Sequence, residues 1–507
     1  MNYLIGIDLG TSGTKTVLFD EAGKAIASAS VEYPLHQPKN GWGEQDPADW
    51  WNACVSTLRS VLAKSGIVAA DIKGIGISGQ MHGLVMMDDA GEVIRNSIIW
   101  CDNRNTRECD ELTELVGAKR LIEISANRAL ISYTAGKLLW VRNNEPENYD
   151  RCRQILLPKD YLRYKLTGEY ATEVSDAAGT NLLDVPKRIW SEEILQKLSI
   201  NPDLMPPVRE SYEVAGHVTA EVAALTGLAA GTPVVGGAGD NAAAAIGTGT
   251  VEEGKAFCTI GTSGVIFAHT DKVAVDPGGR VSSFCAAVPG GWTVMSCTMA
   301  SGLSLQWLRN QFFKEEIRAA EGLGWDSYRM LDQQAEQVPI GANRLLFLPY
   351  LMGERCPHLD PNSRGVFFGL SSIHTKYDML RAVLEAVIYS QRDCLEALEC
   401  AGVELKGITA TGGGGTSPLW RQMLADVLSL PVITVQNREG PALGAAILAG
   451  VGAGLYPSVQ EACKKLIRTN PAQQPIAENT AKYMPYYDIY HSLYPNLKGS
   501  FAKLAEL

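Results

Sequence analysis

Two acidic residues stand where a carboxylate can do chemistry. Asp240 ends the small-residue run Gly236-Gly237-Ala238-Gly239, follows the apolar Pro233-Val234-Val235, and precedes Asn241. An acid there is expensive to bury without partners, and small neighbours let a bulky substrate come close. That suits a general base that must touch a hydroxyl group. The plainer reading is an Asp in a surface turn, or one capping a helix that begins at Asn241. Asp8 precedes the turn Gly10-Thr11-Ser12-Gly13-Thr14-Lys15. The tetrad Gly-Thr-Ser-Gly returns at Gly261-Thr262-Ser263-Gly264, and aligning the copies puts Thr259 where Asp8 stands. If both turns point into one cleft, their backbone N–H groups and hydroxyls hold a polyphosphate from two sides, while Asp8 alone deals with its metal ion.

The first turn is not a P-loop or a dinucleotide fingerprint: no Gly immediately precedes Lys15, the Gly-x-Gly-x-x-Gly spacing is missing, and a strand follows. Met81 and His82 come at a strand end, where an imidazole beside an apolar side chain could hold a polyol, although a lone His is more often structural. The run Gly412-Gly413-Gly414-Gly415 permits close approach of a base or ribose beside a helix N-terminus, with a tight turn as the alternative. Trp100, Asp102 and Arg104 form a further polar cluster that an internal ion pair explains equally well.

The elements that must position these residues follow from hydrophobic patterning. Tyr3 to Asp8 and Lys15 to Asp20 read as a β-hairpin around the first glycine turn, and Lys255 to Ile260 with Val265 to Ala268 read as a second. The tetrads start at positions 10 and 261, about half the chain apart, so a whole domain is duplicated. A helix follows Asp46-Pro47, with Trp50, Trp51, Cys54, Leu58 and Val61 on one stripe. The strand Ile72 to Ile77 runs into Ser78-Gly79-Gln80-Met81-His82-Gly83, and Gly407 to Thr411 runs into the four glycines. Strands that enter glycine turns and open helices are the usual ground for ligand sites in α/β proteins. The boundary between the halves falls in the Gly- and Ala-rich stretch 244–254.

Composition narrows the class. At 507 residues, with 46% hydrophobic and 20% charged residues, the chain has material for two well-packed domains. A net charge of −11 argues against affinity for nucleic-acid phosphates or anionic lipid. The N-terminus lacks a basic n-region, and the apolar stretch 442–456 is below the ~20 residues that a membrane helix needs. Eleven scattered cysteines without a Cys-x-x-Cys pair read as reduced thiols, and the expected compartment is the cytoplasm.

Taken together these residues resemble the FGGY carbohydrate kinase family, within the actin, Hsp70 and sugar-kinase superfamily. Ser132 to Trp140 is similar to the family's first signature, and Gly365 to Leu370 continuing to Glu385 is similar to its second. Within the family, Ser78 to Gly83 and Leu157 to Leu162 are similar to the xylulokinase branch, with departures at Cys101 and Gly136. The resemblance implies an α/β fold of two duplicated ribonuclease-H-like domains around a central cleft. Residues 1–246 would bind the sugar and carry the base, and residues 247–507 would bind ATP. It implies Asp240 as catalytic base, Asp8 beside Mg2+, and sugar contacts at Met81, His82, Asp240 and Asn241. Gly10, Thr11, Ser12, Thr14, Lys15, Gly261 and Thr262 would hold the phosphates, and Gly412 to Gly415 would lie near adenosine. The implied reaction is ATP-dependent phosphorylation of a ketopentose, foremost D-xylulose to its 5-phosphate. Ribulose, L-xylulose or a gluconate-like acceptor is the alternative, and a nucleotide-switched actin-like or Hsp70-like ATPase a remote one. A homodimer is expected.

Overall fold

The computed structural model describes residues 1–437 and 439–507 and contains two mixed sheets. The first is built from β1 (Tyr3–Leu9), β2 (Gly13–Asp20), β3 (Ala25–Glu32), β4 (Ile72–Gly79), β5 (Val214–His217), β6 (Pro233–Val235) and the short β7 (Ala238–Gly239). Its order is β5-β6-β4-β1-β2-β3, with β7 also on β4. The second holds β8 (Lys255–Ile260), β9 (Gly264–Thr270), β10 (Ser282–Cys285), β11 (Trp292–Thr298), β12 (Gly407–Thr411) and β13 (Val432–Ile433), in the order β10-β11-β9-β8-β12-β13. In both, a hairpin is extended antiparallel on one side and parallel on the other: β1 pairs β2 antiparallel and β4 parallel, as β8 pairs β9 and β12. The duplication read from the tetrads is thus a duplication of sheet topology.

Alternation explains the layers. Ile5, Ile7 and Leu9 of β1 face helix α1 (Pro47–Ser65) and pack with Trp50, Cys54, Leu58 and Val61. Asp46 caps α1, accepting from the Ala48 N–H at 2.9 Å, with Pro47 in the first turn. The other face of β1 carries Leu4, Gly6 and Asp8. Against it lies α2 (Gly440–Gly452), a helix so close that a Cβ on Gly6 or Gly76 would land on the carbonyl oxygen of Ala442 or Ala445. Glycine in the strands and alanine in the helix are therefore what lets backbone pack on backbone.

The chain halves exchange these covering helices. The helix Asp240–Gly247 leaves the first sheet and sets Ala245 against Phe257 and Phe267 of the second, while α2 leaves the second sheet and covers the first. The two helices cross where Gly444 meets Ala243 and Gly247 meets Gly440, again with no room for a Cβ. The apolar stretch that begins at Ala442 is therefore an interdomain helix. Among the described residues no helix is long and apolar enough to cross a membrane.

Candidate active site

Register fixes which residues arrive at the carboxyl ends of the central strands of the first sheet. Asp8 lies opposite Lys15 on β2 and Ser78 on β4, and β7 brings Gly239 level with Gly79. Asp240 follows at once as the first residue of its helix. Its Oδ1 accepts from the Asn241 N–H at 2.6 Å and from Asn241 Nδ2 at 3.0 Å. Burial raises the Asp240 carboxyl to about 7, Asp8's negative charge adds to the rise, and the Asn241 donors oppose it. A carboxyl poised there can accept a proton at neutral pH.

The glycines before Asp240 have structural duties. Gly237 has φ +78, and a Cβ there would strike the Ile77 carbonyl. A Cβ on Gly239 would lie 2.8 Å from Met81 Cγ, so this glycine makes room for a side chain of the protein and seats Met81 beside Asp240. His82 adopts a left-handed backbone, φ 70, and its Nδ1 lies 2.8 Å from the Gly179 carbonyl oxygen. A carbonyl only accepts, so Nδ1 carries the hydrogen and Nε2 is left as an acceptor. Burial first, then the Lys137 charge, lowers the imidazole to about 3, so it is neutral at physiological pH. The ring stacks on Tyr133 with centroids 4.5 Å apart, and Phe284 from the second sheet stands 6.3 Å from it. Both domains thus build this apolar wall.

The first glycine turn is closed by the Gly10 N–H to the Gly13 carbonyl at 3.0 Å and buttressed by Gln45 Nε2 to the Thr11 carbonyl at 2.7 Å. Thr11 Oγ1 accepts from Trp100 Nε1 at 2.9 Å, and Ser12 is exposed. Alternation along β2 turns Thr14 inward with Thr16, where it is 1% exposed and its hydroxyl has no hydrogen-bond partner among the described residues. Lys15 projects to the opposite face and pairs with Glu439, just before α2. In the second copy Thr262 and Ser263 are exposed on a turn closed from Gly261 N–H to the Ser263 carbonyl at 3.0 Å. Thr259 and Thr411 share a hydroxyl hydrogen bond of 2.7 Å at the register positions of Asp8 and Ser78.

The four glycines form a single helical turn, Gly412–Gly415. Gly412 has φ +74, Gly414 leaves no room for a Cβ beside the Trp420 ring, and Gly415 sits on the Ala410 backbone. Only Gly413 faces open space. The Trp100–Asp102–Arg104 cluster resolves into structure: Arg104 bonds both oxygens of Asp102, pairs with Glu44 at 2.7 Å, and lies 3.7 Å over the Trp42 ring.

Several residues at this centre carry no local signal. Ser78 donates to Asp8 Oδ1 at 3.1 Å, and Glu439 adds a third carboxylate near Asp8 and Lys15. Burial raises the Asp8 carboxyl, Ser78 and Lys15 oppose this, and Glu439 reinforces it. Asp8, with the Ser78 hydroxyl beside it, offers oxygen ligands of the kind a hard divalent cation such as Mg2+ takes.

Comparison with known proteins identifies the family. The model of the FGGY family of carbohydrate kinases matches in its N-terminal domain over residues 3–247 and in its C-terminal domain over residues 256–453. Xylulose kinase of Bacillus subtilis is 41% identical over 498 residues, covering 98% of each chain. The crystal structure of a xylulose kinase from Brucella ovis superposes with a TM-score of 0.91 at 38% identity, over 98% of this chain and 100% of that one. That of a gluconate kinase from Lactobacillus acidophilus gives 0.92 at 29% identity, over 99% of both. A match to both halves of one fold and full-length identity above 40% leave no other assignment: the chain belongs to the FGGY family of carbohydrate kinases.

Proposed function

We propose that this kinase transfers the γ-phosphoryl group of ATP to the terminal hydroxyl of a ketopentose, foremost D-xylulose, with Asp240 as the general base. The observation that carries the reading is a carboxyl raised to about 7, with Asp8's charge acting on it, on the residue after Gly239, against which Met81 packs. The relatives named xylulose kinase supply the sugar. In this account the ketose lies mainly on residues 1–246, along Met81 and His82, whose Nε2 accepts from a sugar hydroxyl. Asn241 holds Asp240 through the bonds to Oδ1. ATP lies mainly on residues 247–507, its phosphates between the turns at Gly10–Gly13 and Gly261–Gly264 and its adenosine beside the open Gly413.

The sugar oxygen forms its bond to phosphorus as the bond from phosphorus to the β-phosphate oxygen breaks. Its proton passes to Asp240 and thence to water, and ADP leaves. Because phosphoryl transfer passes through a loose transition state, alignment and charge neutralisation count for more than the strength of the base. Lys15 answers part of the charge once Glu439 releases it. Asp8 would hold Mg2+, which when bound neutralises phosphate charge. Closure of the two domains excludes water, the competing acceptor.

A coupled assay of ADP release against ketoses, aldoses, polyols and sugar acids tests the reading. D-xylulose is expected to give the highest kcat/KM, with little ADP formed when sugar is omitted. The likeness to a gluconate kinase makes a sugar acid the specific competitor. A higher kcat/KM for gluconate would reassign the acceptor while leaving the base in place.

A further inference from the structure

Lys137 lies in the first turn of the helix Thr134–Asn144, behind the sugar wall, and is 0% exposed. Full burial of a lysine is rare unless the ammonium is paired. The other fully buried lysine obeys that rule: Lys159 lies 2.7 Å from Asp160, 3.3 Å from Glu173 and 3.6 Å from Asp176. Lys137 forms no ion pair among the described residues. Its Nζ donates instead to three backbone carbonyls, those of His82 at 3.2 Å, Tyr133 at 3.1 Å and Ser132. Thr134 Oγ1 also donates to the His82 carbonyl, at 3.2 Å. These carbonyls belong to the two segments that present the stacked His82 and Tyr133 rings.

With the Thr134 hydroxyl, the Lys137 ammonium ties the His82 segment to the Ser132–Tyr133 segment. His82 sits in a left-handed conformation that a residue with a side chain adopts at some cost, so its backbone needs an anchor. Gly136 lets the anchor approach, because a Cβ there would strike Asn105 Nδ2. Three carbonyls match the three N–H bonds of an ammonium, whereas a neutral amine has two and a lone pair.

We propose that Lys137 is a positioning residue for the acceptor sugar, its ammonium gathering the His82, Ser132 and Tyr133 carbonyls into one arc and so fixing the wall on which the sugar binds. The inference rests on reading His82 as a sugar contact. Burial lowers the Lys137 ammonium to about 7, against the opposing charge of Asp102 and the thiols Cys109 and Cys101, while Arg104 adds to the fall. Sugar affinity therefore decreases as pH rises through neutrality, because the form with three N–H bonds is lost.

The test is calorimetry of D-xylulose and of ATP binding to wild type, Lys137→Met and His82→Ala. Lys137→Met is expected to weaken D-xylulose binding by about tenfold, the size of effect when a buried acceptor loses its donor, with ATP affinity within about twofold of wild type. Unchanged sugar affinity, or equal losses for both ligands, overturns the proposal. If His82→Ala binds the sugar as wild type does, the sugar-site reading fails and the proposal with it. If Lys137→Met does not fold, D-xylulose affinity is followed from about pH 6 to 9 in Asp240→Asn, which removes the proposed base, a carboxyl that itself titrates at about 7. Weakening with rising pH is expected there, and a flat profile overturns the proposal.

Discussion

The two hairpins share register and turn sequence but not charge. At the end of β1, Asp8 meets Ser78, Lys15 and Glu439; at the end of β8, Thr259 meets Thr411 in a neutral pair of hydroxyls. The same fold element thus makes two different floors. An acid under the second turn would repel a polyphosphate lying on it, and a threonine under the first would leave a cation without its oxygen ligand. Duplication repeated the hairpin and its turn, and the proposed division of work between metal and nucleotide rests on the difference between Asp8 and Thr259.

Asp240 defines the chemical side of that contrast, and its loss carries the largest expected effect. Asp240→Asn should lower sugar phosphorylation by about 100-fold or more, the usual range for a positioned base, while calorimetry shows ATP and sugar still bound. Asp8→Thr copies the second hairpin onto the first. Turnover should fall on the order of tenfold to a hundredfold, with more Mg2+ needed for half-maximal rate. Since Asp8's charge helps to hold Asp240 up, the same variant should move the acid limb of the rate profile to lower pH. Wild-type Mg2+ dependence in Asp8→Thr would erase the distinction between the hairpins. The reverse exchange, Thr259→Asp, should weaken ATP binding by about tenfold and spare sugar binding. The smallest effect separates two neighbouring glycines. Gly414→Ala should cost about 1–3 kcal/mol by overpacking against Trp420, whereas Gly413→Ala should leave Tm unchanged and raise the KM for ATP. Equal Tm values for the two would remove the packing account of this turn.

How much of this was legible in the sequence follows from how local each signal is. The hairpins, the capped helix after Asp46 and the acid at Asp240 are each written in one short contiguous stretch, and they stand where patterning puts them. Thr14 was read with its neighbours, whereas strand alternation turns every second side chain inward and leaves it 1% exposed. The glycines around Asp240 and Gly412 read as room for ligand, yet all but Gly413 abut the protein's own atoms, among them those of Met81, Ile77 and Trp420. Glu439 was invisible as the partner of Lys15 because most of the chain separates them. The exchange of covering helices was hidden for the same reason: an alanine- and glycine-rich segment announces close packing but not against which sheet.

The claim that Asp240 takes the proton is tested most directly by the pH dependence of kcat/KM for D-xylulose, measured for wild type and Asp240→Asn under saturating Mg-ATP. The base works deprotonated, so the wild-type rate should fall about tenfold per unit as pH drops below about 7, and the residual rate of Asp240→Asn should show no such limb. A variant that turns over at nearly the wild-type rate with the same acid limb would assign the proton to another group.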